Sequence, residues 1–220
     1  MFSFHDEVIF FLVFESANTQ YPKPNTWIVL QLNFEPLTLN NWHLFETLMG
    51  ERGGCGGCWC MTHRLKKSDF EKNKYEGNKK LFRQLVENNL PVGLLAIYEK
   101  EAIGWISLAP REQFIRLSES RIYKLIDEKE VWSITCFLVK KQFRNQGLSR
   151  AMIEATKVFA KNYKIEILES YPVKPYSDKM PDAFAWTGFF STFKKAGFQV
   201  VSEASKTKPM MRFHIKQTLK

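Results

Sequence analysis

VWSITCFLVKKQFRNQGLSRAMIEATKVF, residues 131–159, joins an apolar run to a basic turn and an amphipathic helix. Its first part contains Val131, Trp132, Ile134, Cys136, Phe137, Leu138 and Val139, a nearly continuous apolar run of strand length. A strand with one face in water would alternate with polar residues, so this one belongs in the middle of a sheet, covered on both faces. From Leu148 the period changes. Leu148, Ala151, Met152, Ala155, Val158 and Phe159 recur at helical spacing, while Arg150, Glu154, Lys157 and Lys161 take the other side, which predicts an amphipathic helix laying one stripe on the sheet. Between them, residues 140–147 read KKQFRNQG, with Lys140, Lys141 and Arg144 and a glycine where the chain must turn tightly. The N–H groups of a helix's first turn have no internal partners and the helix dipole adds positive potential there, so this junction suits a phosphate or pyrophosphate.

The loop has neither the three spaced glycines of a dinucleotide fingerprint nor the Gly-Lys-Ser/Thr of a Walker loop. Arg144-Asn145-Gln146-Gly147-Leu148-Ser149 instead resembles the acyl-CoA pyrophosphate loop of the GNAT superfamily of N-acetyltransferases, in which Gln or Arg is followed by two residues, Gly, one residue, and Gly or Ala. Arg144 and Gly147 match, and Ser149 is a small substitute at the last position. The alternative is an ordinary strand-to-helix crossover with solvated lysines.

The resemblance implies an α/β (α+β) fold, a mixed central sheet flanked by helices, over roughly residues 27–216. It implies acetyl-CoA as cosubstrate, with the pyrophosphate on Arg144, Asn145, Gln146, Gly147, Leu148 and Ser149. The pantetheine arm would enter between two splayed parallel strands and contact Phe137, Leu138 and Val139. A main-chain N–H near Phe137 or Leu138 would face the developing oxyanion, and an amine would attack directly in a ternary complex. The family's usual general acid is a tyrosine in the pattern Tyr-x-x-x-Gly-Phe, but here the matching residues are Phe193-Lys194-Lys195-Ala196-Gly197-Phe198. The phenol is missing, and phenylalanine cannot give a proton. Tyr171 is a substitute donor or a structural tyrosine, and Ser191 or Thr192 is placed to hold a water. Glu169 and Asp182 are near the expected site in sequence only, so the catalytic acid and base stay unassigned. An acetyl-cysteine intermediate is the rival mechanism, and Cys136, in an apolar strand, reads as a buried, inert thiol instead.

With 220 residues, 45% of them apolar and 15% aromatic, the chain suits one domain, residues 27–220, preceded by an extension of uncertain role at residues 1–26. A net charge of +9 fits nucleic acid, a membrane surface or a small polyanion equally well. No apolar segment reaches the roughly 18 to 20 residues of a membrane span. Residues 8–14 follow Asp6 and Glu7 rather than a cationic leader, so a cytoplasmic protein is expected. Four cysteines, three of them close together, do not form a secreted disulfide framework in a chain this long; reduced thiols are expected.

Taken in order, residues 8–14 allow an extra strand, a proline break follows at 21–24, and residues 27–34 read as the first strand the family fold needs. Thr38 or Asn40 is the expected cap of a helix running to Met49, with Trp42, Leu44, Phe45 and Leu48 on its apolar side. Cys55, Cys58, Cys60 and His63 have partial zinc-ligand spacing, but no second pair follows; a glycine-rich loop with partly buried thiols is the alternative. The Cys-Trp-Cys-Met segment also resembles one in a subgroup of bacterial GNAT proteins, which implies that Trp59 faces substrate. Ser68 and Glu71 form a capping-box pattern, and Gly77 is the expected interruption of the helix that follows. Residues 92–98 and 102–108 read as a hairpin, and residues 111–130 as a charged connection edging the substrate mouth. Residues 165–169 read as a strand parallel to the central one. A proline-rich loop at 171–181, a helix at 189–196 with Gly197 at C′, and an antiparallel pair at 198–201 and 210–215 complete the sheet. The lysines at 206, 208, 216 and 220 read as a solvated face.

Two functions compete on these residues: an acetyl-CoA-dependent N-acetyltransferase acting on a small-molecule or peptide amine, and, because of Phe193, a GNAT-fold protein that binds acyl-CoA without catalysis. A basic nucleic-acid module with a zinc-stabilised cysteine loop is a third reading, for which no known base-reading motif is present. The acceptor and the oligomeric state are not encoded in any recognisable pattern.

Overall fold

The computed structural model describes residues 10–16, 28–175 and 185–216. Eight strands form one sheet: β1 (Phe10–Ser16), β2 (Ile28–Pro36), β3 (Gly93–Tyr98), β4 (Glu101–Pro110), β5 (Trp132–Val139), β6 (Ile167–Ser170), β7 (Gln199–Ser202) and β8 (Met210–His214). Their order is β1-β2-β3-β4-β5-β6-β8-β7, antiparallel throughout except for the parallel pair β5 and β6. The helices are α1 (Trp42–Met49), α2 (Lys67–Lys72), α3 (Glu76–Glu87), α4 (Ile115–Ser118), α5 (Leu148–Asn162) and α6 (Phe190–Lys195). This is the expected mixed sheet flanked by helices. Residues 10–16 pair with β2 as an outer strand. Among the described residues no helix is long and apolar enough to cross a membrane. The proline break at 21–24, Asp182, much of the proline-rich loop and Lys220 lie outside the described residues.

The run at 131–139 becomes the buried centre because both of its faces meet a helix layer. On one face Trp132, Ile134 and Phe137 join Leu94, Ala96 and Ile106 beneath the α5 stripe of Leu148, Ala151, Met152, Ala155 and Phe159. On the other, Cys136 and Leu138 join Leu95, Ile97 and Trp105 under Trp42, Phe45 and Phe82 from α1 and α3. Strict alternation would put Ile134 and Phe137 on opposite faces. A bulge reconciles them: Leu108 pairs with Ile134 and Ser107 with Cys136, leaving Thr135 as the extra residue.

Two helix starts and one break depart from the sequence expectation. α1 begins after Asn41 rather than at a Thr38 or Asn40 cap. The Asn41 side chain accepts from the Thr38 N–H at 2.8 Å and donates to the Pro36 carbonyl at 3.0 Å, so it fixes the turn before the helix instead of the helix end. Ser68 lies inside α2, not at its cap, and Glu71 pairs with Lys74 at 2.5 Å, so the capping box does not form. The break before α3 falls at Tyr75, whose φ is 68°, because the Tyr75 N–H is tied to the Gly57 carbonyl at 3.1 Å; Gly77 is inside the helix.

Beside the parallel pair lies a buried polar network. Glu169 is wholly buried between Arg111 and Arg212, with the Arg212 Nε at 2.7 Å. Arg111 also donates to the Tyr171 hydroxyl at 2.7 Å, which contacts Ser133 Oγ at 2.8 Å and donates to Glu169. A buried carboxylate needs paired cations and filled lone pairs to be tolerated, and here they come from Arg111 in the turn after β4, Tyr171 just beyond β6 and Arg212 of β8, with Ser133 of β5 behind the tyrosine.

Candidate active site

β6 is too short to follow β5 to its end. The parallel pairing covers Trp132 to Ile134 against Leu168 to Ser170, and β5 runs on to Val139 without it. In the gap, the Phe137 N–H points away from β4 and donates to the Trp186 carbonyl at 2.7 Å. With the strand's two-residue period, Val139 presents its backbone to the same side, and its carbonyl accepts from Arg144 Nε at 3.2 Å.

A cavity of about 890 Å³ opens on this edge of β5, at the upper end of ligand-pocket sizes. Phe137, Leu138, Val139, Arg144, Asn145, Gly147, Leu148 and Ser149 all line it. Gln146 is the one residue of the expected set outside the wall; its side-chain amide donates back to the Gln142 carbonyl at 2.7 Å. The loop turns through two positive φ angles, 59° at Asn145 and 83° at Gly147. Asparagine tolerates the left-handed region and glycine enters it without strain. Gly147 is also the N-cap of α5, so no side-chain oxygen answers the first-turn N–H groups, and no acidic residue sits in that turn. Arg150 does, and together with Arg144 and Lys195 of α6 it lines the same wall. Uncapped N–H groups, the positive end of the helix and three cations make this end of the cavity a place for a polyphosphate.

The opposite end is walled by Met49, Cys58, Cys60, His63, Phe70 and Lys74, with Trp186 at the gap. The zinc-like set is dispersed. Cys55 is exposed, Cys58 Sγ points to the Gly53 carbonyl at 3.4 Å, and Cys60 Sγ accepts from Trp105 Nε1 at 3.0 Å and lies 3.8 Å from Cys136 Sγ. Among the described residues no three such groups converge on a metal position. Burial pushes the Cys58 thiol up to about 11, and Cys60, hydrogen-bonded to Cys136 and buried, is raised well above the usual thiol range. Cys136, expected to be sealed, is only partly buried and lines the cavity; the bulge at Thr135 turns it toward the helix layer that carries the cysteine loop.

One further expectation is corrected here, and of the two readings of Tyr171 the structural one fits. Trp59 faces the core, not the cavity: it is 4% exposed and packs near Phe45, because Gly53 lacks the Cβ that would strike its indole. Tyr171 is 1% exposed and committed to the Glu169 network; neither it nor Glu169 reaches the cavity, so neither is placed to exchange protons with a ligand there. Phe193 is wholly buried under α6 against Phe137 and Phe198. Trp186, Phe70 and Lys195 carry no sequence signal as cavity residues, since none belongs to a periodic run beside the motif, and His63 stands out in sequence only as a metal-ligand candidate.

The sequence matches the model of the acetyltransferase (GNAT) family over residues 59–191. No curated protein matches it in sequence. Solved structures similar in fold include a GNAT-family acetyltransferase from Listeria monocytogenes, 12% identical with a TM-score of 0.51, covering 84% of this chain and 95% of that one. Another is a putative GNAT-family acetyltransferase from Desulfovibrio desulfuricans, 11% identical with a TM-score of 0.50, covering 84% of this chain and 99% of that one. A third is the ribosomal-protein-S5-alanine acetyltransferase from Vibrio fischeri, 12% identical with a TM-score of 0.50, covering 86% and 96%.

Proposed function

The chain belongs to the acetyltransferase (GNAT) family, and on that premise we propose that it is an acetyl-CoA-dependent N-acetyltransferase acting on a small-molecule or peptide amine. The observation that carries this is the single cavity joining the uncapped, cation-lined start of α5 to the open edge of β5. Arg144, Asn145, Gly147, Leu148 and Ser149, with Arg150 and Lys195, would hold the pyrophosphate, Gln146 serving through its place in the turn. Phe137, Leu138 and Val139 would hold the pantetheine arm as a neighbouring strand would, and the Phe137 N–H would meet the acetyl oxygen. Bringing thioester and amine together in one enclosed space converts a bimolecular encounter into an oriented attack, and a fixed N–H donor stabilises the charge that develops on oxygen. The amine enters from the Met49, Cys60 and Phe70 side, and the setting is cytoplasmic.

Phe193 favours a second reading, an acyl-CoA-binding protein without transferase activity, because the family's usual phenol is replaced by a ring sealed in the core. Thermal unfolding with acetyl-CoA at about 100 times its dissociation constant should show roughly 2.7 kcal/mol of stabilisation, a shift of about 5 to 10 °C. Mass spectrometry of an amine panel incubated with acetyl-CoA then separates the two readings: an N-acetyl product supports the transferase, and a thermal shift with no product across the panel supports the binder.

A further inference from the structure

Building on the acetyl-CoA reading, we propose that His63 is the proton acceptor for the incoming amine, and that Trp186 covers it until a ligand takes the Phe137 N–H from the Trp186 carbonyl.

Three observations meet at this residue. His63 lines the cavity, yet neither ring nitrogen has a partner among the described residues or contact with solvent. Leaving both nitrogens of an imidazole buried and unpaired is costly, and such groups call for a functional explanation. The Trp186 ring lies against His63, centroids 5.2 Å apart and 35° from parallel. The same Trp186 holds the Phe137 N–H through its carbonyl at 2.7 Å. A ligand that bonds to that N–H must displace the Trp186 main chain, and the indole over His63 moves with it. One displacement therefore opens both the donor on β5 and the base beneath the indole.

The backbone around His63 is built to hold the ring still. The Arg116 N–H donates to the His63 carbonyl at 3.1 Å and the Arg116 guanidinium to the Thr62 carbonyl at 3.1 Å. Arg64 donates to Gln113 at 2.7 Å, its guanidinium 4.5 Å from the centroid of the Phe114 ring. The charged groups that face the imidazole are cations, Arg116 from α4 and Lys208 from the loop before β8. Burial first, then these two charges, lower its pKa to about 4, so the ring waits as a free base at neutral pH. Uncovering it removes the larger cause and strengthens the base as the ligand arrives. The rest of the described wall holds no carboxylate and no second imidazole: its other titratable residues are the cations Lys74, Arg144, Arg150 and Lys195 and the cysteines 55, 58, 60 and 136, of which Cys58 and Cys60 are held as thiols.

The proton balance is simple. The substrate ammonium gives one proton to His63, which releases it to solvent. The neutral amine then attacks the acetyl carbon; the C–N bond forms, the C–S bond breaks, and a second nitrogen proton ends on the departing sulfur. Ammonium and thioester become amide, thiol and one proton.

The test pairs two readouts on full-length protein and on His63→Gln, which keeps a polar group but cannot carry a proton. In the first, histidine ring resonances are followed by NMR with and without CoA, the His63 signal being the one missing in His63→Gln, while calorimetry on the same samples reports CoA binding. CoA should raise the pH at which His63 titrates and leave the other histidines unmoved. CoA that binds and leaves His63 as it was overturns the inference alone; CoA that does not bind overturns the acetyl-CoA reading and this with it. In the second, benzylamine, spermidine and a peptide with a free N-terminus are offered with acetyl-CoA. His63→Gln should retain CoA affinity and lose about a hundredfold or more in kcat, with the acidic limb of the pH profile gone. Equal turnover, or a wild type that binds acetyl-CoA and acetylates none of the three, rules His63 out as the acceptor.

Discussion

Phe193 meets Phe137 edge to face, their ring centroids 5.8 Å apart at 76°. The contact links the helix where the family carries its phenol to the strand that would carry the acyl arm, and it is apolar and dry. Phe193→Tyr should therefore not supply a proton donor. It would bury a hydroxyl among Phe137, Phe198 and Gly188 at a cost of about 1 to 3 kcal/mol, read as a fall in Tm with no gain in acetylation. A variant that turns over faster than wild type would show that the ring reaches the ligand.

Glu169 is the hub of the buried network. Glu169→Ala leaves Arg111 and Arg212 facing each other without their shared carboxylate, and removing one member of such a set costs about 3 to 5 kcal/mol. The urea midpoint should drop with its slope unchanged. Asp127→Asn, at the exposed end of the Arg212 contact, should barely move it. Comparable midpoints for the two variants would contradict the network's role as a clasp joining the turn after β4 to β5, β6 and β8.

His63 sets a pH window for stability. Unfolded, the ring protonates near 6.5; folded and buried, only at about 4. Between those values the unfolded chain binds the extra proton, so stability falls as pH falls and the loss is complete only below the lower value. The size is on the order of 3 kcal/mol. Chemical denaturation of wild type and His63→Gln from pH 7 to pH 4 isolates it: the variant should lose less stability across the window, and parallel curves would mean that the ring is not held neutral.

How far the site could be read in advance follows from where its information lies. The strand, turn and helix of residues 131–159 each carry a local signature: an apolar run, a glycine at a positive φ, and a stripe at helical spacing. Eight residues placed at the site from that stretch line one cavity. Trp59 departs from its expectation because a tryptophan beside cysteines looks the same in sequence whether it faces a ligand or fills the space above Gly53. Ser68 and Glu71 match the capping pattern, but the cap position falls two residues earlier, at Lys66, where no side chain caps the helix. Trp186 lies nearly fifty residues beyond Phe137 in the sequence, and its main-chain contact has no side-chain pattern to betray it. Neutral, unpaired His63 is legible only after folding has set Arg116 and Trp186 around it.

Binding of the pyrophosphate at the start of α5 is tested by the affinity of acetyl-CoA for wild type and for Gly147→Val, measured by calorimetry on protein whose fold is checked by circular dichroism. Gly147 holds a φ of 83° at the start of α5, where a β-branched residue is strained and its side chain obstructs the approach to the first-turn N–H groups. Wild type should bind one acetyl-CoA, and the folded variant should bind it at least tenfold more weakly. Equal affinity in the two proteins would mean that the pyrophosphate does not sit on this loop.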